Sequence, residues 1–137
     1  MFDLALYNEL KEINKIDSIK VKWGYNEIPD GTDDPYIVQY TLDRNTDREL
    51  LCDDFDDGGQ AFIQWNVYST KGWVSDRIAY ELERILDSYV TDGQTLTYSD
   101  TSYTISMREH NSSPSAQVIE NELATSVLTN TFFYRKE

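Results

Sequence analysis

Asp53, Asp54, Asp56 and Asp57 crowd in front of Gly58 and Gly59, and carboxylates at alternate loop positions around a glycine are how proteins wrap calcium. Counted from Asp53, the third ligand position of such a loop falls on Phe55, and the twelfth, which needs a bidentate Glu, falls on Gln64. The run therefore reads as a solvated charged loop, and no metal is assigned to it. Nucleophilic chemistry is no easier to assemble. The single histidine, His110, precedes an Asn-Ser-Ser-Pro loop and has neither a nucleophile elbow nor a glycine-rich oxyanion segment beside it. The single cysteine, Cys52, adjoins Asp53 and Asp54, whose charges disfavour its thiolate. One Cys and one His provide neither a zinc site nor an internal disulfide, and the six glycines form no phosphate-binding loop. A pool of 25 carboxylates cannot by itself select an acid/base pair. The expectation is a protein with no catalytic residue, no cofactor and no metal.

Binding chemistry is constrained by charge. Twelve cations against 25 acids give a net charge of −13, and the cations are scattered along the chain, which argues against a clamp on a phosphate backbone. A surface of this sign facing DNA would repel it. The window from Trp65 to Trp73 could stack bases or sugars, but stacking platforms keep Arg and Lys beside their rings, and only Lys71 is basic here. Core and strand-to-helix packing accounts for both tryptophans. No basic leader, cleavage site or bilayer-length apolar run is visible, so the chain is expected to be soluble, unexported and off the membrane. The lone cysteine fits a reducing compartment, and Asn111-Ser112-Ser113 reads as a loop rather than a glycosylation acceptor.

The length of 137 residues fits one domain, 1–137. Phe2, Leu6, Leu10 and Ile13 recur at helical spacing, with Asp3 placed to cap. From Ile19 the period becomes two, with Val21, Trp23 and Tyr25 on one face and Lys20, Lys22 and Gly24 on the other. Residues 36–42 and 61–69 read as strands. The second carries Ala61, Ile63, Trp65 and Val67 against Phe62, Gln64, Asn66 and Tyr68, as in a central strand. Between them, residues 43–59 hold seven acids and two arginines, predicting an acidic hairpin arm or loop. Val74, Ile78, Leu82, Ile85 and Tyr89 mark a helix over 72–89 that Asp92-Gly93 closes. Residues 95–98, 102–109 and 123–134 are the last strands, with Tyr103, Ile105 and Met107 on one face. The order α-β-β-β-α-β-β-β predicts an α+β fold, a mixed and mainly antiparallel sheet with both helices packed on it.

The strand 35–40, the acidic insert, the strand 59–69, the helix start Val74-Ser75-Asp76-Arg77-Ile78-Ala79 and the closing Phe132-Phe133-Tyr134 together resemble the tail terminator (tail completion, head-tail joining) proteins of tailed bacteriophages. The resemblance spans most of the chain. It implies a structural virion protein and not an enzyme: a homo-oligomeric ring, typically of six subunits, that caps the tail tube and joins it to the head connector. Its partners would be its own copies, the tail tube protein and the connector or neck proteins, with DNA passing through unbound. Ten tyrosines, five phenylalanines and three tryptophans suit subunit contacts as well as a core. Unpaired acids cannot be buried together, so the arm is expected to sit in solvent or meet basic groups on another chain, a neighbouring subunit or the tail tube. Its candidate interface residues are Asp47, Leu50, Leu51, Asp53, Asp54, Phe55, Asp56 and Asp57, the apolar ones as anchors and the acids as a rim. Another neck or head completion role, and a small ligand-binding or enzymatic α+β domain, are the alternatives.

Overall fold

The computed structural model describes residues 1–29, 35–46, 58–110, 117–120 and 123–137. Among them the order is α1 (Phe2–Leu10), β1 (Lys15–Ile16), β2 (Ile19–Lys20), β3 (Lys22–Tyr25), β4 (Tyr36–Thr46), β5 (Gly58–Ser69), α2 (Gly72–Thr91), β6 (Thr95–Tyr98), β7 (Thr101–His110), β8 (Gln117–Glu120) and β9 (Leu123–Lys136). The main sheet runs β3-β4-β5-β9-β7-β6, with β8 also paired to β9. Every pairing is antiparallel except β3 with β4. The fold is α+β.

The alternation in β5 decides where the helices sit. Ala61, Ile63, Trp65 and Val67 are buried in one cluster with Leu6 and Leu10 of α1 and Ile78, Leu82 and Leu86 of α2. Phe62, Gln64, Asn66 and Tyr68 point to the opposite face and are half-buried. In register with β5, β9 supplies Leu128 opposite Trp65 and Phe132 opposite Ala61, both without exposure. On α2 the expected stripe is rotated. Ile78 and Leu82 are buried, whereas Val74, Ile85 and Tyr89 flank the core and Ser75, Ala79 and Leu86 take its centre. Small side chains at 75 and 79 let the helix backbone approach the sheet, and Ser75 Oγ lies 3.0 Å from Ser126 Oγ of β9. The helix ends on Gly93, whose φ of +64° is a left-handed value that costs a glycine little.

Several expectations are corrected. Asp3 does not cap α1. The N-cap is Met1, and Asp3 is 1% exposed, where its carboxylate accepts hydrogen bonds from Tyr25 Oη and, at 2.7 Å, from Thr41 Oγ1. The single strand expected from Ile19 is two strands, because the chain changes partner: the Val21 amide still donates to the Asn14 carbonyl at 3.0 Å, whereas from Lys22 it pairs with β4. Before the break, β1 and β2 form a tight hairpin through Asp17 and Ser18, both at positive φ. Gly24 is buried rather than outward, since the chain folds back so closely that a Cβ there would lie 2.2 Å from the Glu27 carbonyl oxygen. Met107 does not share the face of Tyr103 and Ile105: a register shift between Ile105 and Met107 turns it out to 47% exposure. Of the expected acidic hairpin arm or loop over 43–59, the two ends are strand, with Asp43 to Thr46 of β4 registered on Phe62 to Gly59 of β5, as at the base of a hairpin, and 47–57 lie outside the described residues.

Candidate assembly interface

The candidate interface residues Asp47, Leu50, Leu51, Asp53, Asp54, Phe55, Asp56 and Asp57 lie outside the described residues, as does Cys52. What is described is their frame. β4 and β5 pair as far as Thr46 opposite Gly59, so the acid-rich connection leaves from one end of the longest hairpin in the sheet.

A second surface went unread in the sequence. Trp73 is 65% exposed and Tyr80 61% exposed, and with Arg77 and Arg84 they recur at steps of four, three and four along the outward side of α2. The expectation that Trp73 packs in the strand-to-helix junction is therefore wrong for it and right for Trp65, which is fully buried. Packing Ile78, Leu82 and Leu86 inward leaves 73, 77, 80 and 84 no direction but outward. The same 3.6-residue period that located the apolar stripe would have located this one. Arg77 pairs with Asp17 of the β1–β2 turn, and Arg84 Nη1 lies 3.3 Å from Glu81 Oε1. Trp, Tyr and Arg are the side chains that carry most binding energy at protein interfaces.

The sheet face opposite the helices carries a tyrosine ladder. Tyr36 and Tyr68, cross-strand neighbours, stack with centroids 4.7 Å apart, and Asn66 Nδ2 donates to Tyr68 Oη at 3.1 Å. Burial and the neighbouring Tyr68 raise the Tyr40 phenol above its usual range. Such a face offers hydroxyls, amides and ring edges, which is material for contact and not for acid/base work near neutral pH.

His110 ends β7, registered on Asn130. Ser126 Oγ lies 2.6 Å from Asp76 Oδ1, a contact that ties the start of α2 to β9. Among the described residues, no three His, Cys, Asp or Glu side chains gather as metal ligands. Arg108 is enclosed instead, with its guanidinium 3.2 Å from Glu83, bonded to Asp87, and 2.9 Å from Asn130 Oδ1. It clamps α2 to β7 and β9.

No protein-family model and no curated protein matches the chain. One solved structure, whose name carries no function, superposes over 99% of this chain and 90% of its own with a TM-score of 0.54 at 11% identity. At that identity the likeness speaks for the fold alone. Among the described residues no helix is long and apolar enough to cross a membrane.

Proposed function

We propose that the chain is a structural subunit of a tailed-bacteriophage virion, a tail terminator that assembles into a ring, typically of six copies, to cap the tail tube and join it to the head connector. The observation that carries this reading is the Trp73, Arg77, Tyr80, Arg84 stripe, a helix face bearing two large exposed rings. The family resemblance supplies the partner, and the net charge of −13 suits a channel through which DNA slides without adhering. The test is assembly. Purified protein should form closed rings by negative-stain electron microscopy, alone at high concentration or on tail tubes lacking their cap, and should make such tubes competent to join heads. A protein that stays monomeric under all these conditions removes the reading. Binding to DNA-filled heads but not to tubes moves the protein to the head side of the neck.

A further inference from the structure

Four lysines within residues 11–22 sit on consecutive short elements, at the end of α1, in the β1–β2 hairpin and at the start of β3. Lys15 and Lys20 are direct cross-strand partners in the β1–β2 hairpin, so their side chains leave from the same face. Lys22 opens β3 just beyond, and Lys11, at the end of α1, places its ammonium 5.8 Å from the centroid of the Tyr7 ring. All four are exposed. Like charges set directly opposite each other destabilise a hairpin, and among the described residues neither Lys15 nor Lys20 has a carboxylate within ion-pair distance. Asp17, in the turn between them, is engaged by Arg77 of α2. Beside this patch runs an open groove of about 500 Å³, lined by Tyr7, Lys11, Glu12, Lys22, Trp23 and Pro29 among others. Among the described residues, Glu12 is the acid that lines it.

We propose that this lysine patch and groove receive a second copy of this chain, which docks through its acid-rich stretch 43–57. The inference rests on the ring reading above and adds which surfaces meet. Charge complementarity argues for it: the patch holds four of the chain's 12 cations, and the stretch holds seven of its 25 acids together with Leu50, Leu51 and Phe55, apolar side chains suited to a groove walled by Tyr7 and Trp23. Patch and stretch are different surfaces of one molecule, so the contact is heterologous, and a heterologous contact repeated around an axis closes a ring. A nucleic acid is the competing polyanion, and a molecule of net charge −13 repels it at long range.

The experiment is a charge swap. Sedimentation velocity of the wild type, at about 50 mM and about 300 mM salt, should show self-association that weakens as salt screens the contact. The double variant Lys15→Glu with Lys20→Glu should keep its circular dichroism spectrum and associate about tenfold or more weakly. Mixing it with a variant carrying Asp53→Lys, Asp54→Lys and Asp56→Lys should restore assembly. If the lysine variant associates like the wild type, the docking site is overturned while the ring reading stands. If it dissociates but the swap restores nothing, the acid-rich stretch is not the occupant and the proposal fails. A wild type that is monomeric throughout overturns the docking proposal, and the ring reading then rests on assembly at tail tubes. Retention of duplex DNA by the wild type, lost in the lysine variant, overturns the proposal in favour of a nucleic-acid partner.

Discussion

The indole Nε1 of Trp65 donates to Gln39 Oε1 at 3.1 Å inside the core, and the amide nitrogen of the same Gln39 donates to the Asp3 backbone carbonyl at 3.0 Å. One buried amide thus joins the central strand to the first helix. Gln39→Leu strands the indole N–H and removes a donor from the Asp3 carbonyl, and leaving such groups unmet should cost about 2–4 kcal/mol. Urea denaturation should show the midpoint falling with an unchanged m-value.

Leu82 is fully buried at the centre of the α2 contact. Leu82→Asp places an uncompensated carboxylate there and should cost several kcal/mol, about the whole stability of a domain this size. Unchanged thermal melting would show that the helix does not pack as described.

Arg108 has 8% of its side chain exposed, between Glu83 and Asp87. Arg108→Met leaves the enclosed Glu83 carboxylate without this cation, while Asp87 is 65% exposed and solvated, and should destabilise by about 1–3 kcal/mol. The loss should change little with added salt, because an enclosed pair is poorly screened.

Trp73 and Tyr80 predict the opposite pattern. The double variant Trp73→Ser with Tyr80→Ser should leave stability within about 0.5–1 kcal/mol, as exposed substitutions do, while weakening self-association by about 2 kcal/mol or more. Equal association of both proteins in sedimentation velocity would remove the stripe from the interface.

Burial, with the Glu9 carboxylate as the second cause, pushes Tyr89 up to about 12. In the unfolded chain a tyrosine titrates near 10, so between about 10 and about 12 the unfolded state gives up a proton that the folded state keeps. Stability is complete below that window and falls as pH rises through it. Tyr7, Tyr40 and Tyr103, each raised chiefly by burial, act in the same direction. Tyr89→Phe should make the alkaline loss shallower by about one proton per molecule, measured as the pH dependence of the urea midpoint.

Periodicity made the long elements legible. Alternation through Ala61, Ile63, Trp65 and Val67 marked a central strand, and the spacing of Ile78 and Leu82 marked the helix that covers it. Where local pattern misled, a tertiary partner was deciding. Asp3 occupies a capping position by sequence, but Tyr25 and Thr41, distant in the chain, draw its carboxylate into the core. Met107 keeps the parity of Ile105 on paper, and a bulge visible only in the pairing with β9 reverses it. The parallel β3–β4 register and the placing of Lys15 opposite Lys20 depend on how strands are laid side by side, which spacing along the chain does not encode. The outward α2 stripe was legible in principle, since it is the complement of the apolar one.

The last strand in the order, β9, lies between β5 and β7 at the middle of the sheet, where Ser69 pairs with Ala124 and Gly58 with Arg135. A ribosome therefore delivers β5, α2, β6 and β7 before it delivers the strand that joins them. At about 5–20 residues per second this leaves the nascent chain waiting for some seconds with one edge of Ile63, Trp65 and Val67 unzipped. Completion of the sheet must then wait for β9, and its rate is set by finding a distant pairing partner rather than by helix formation.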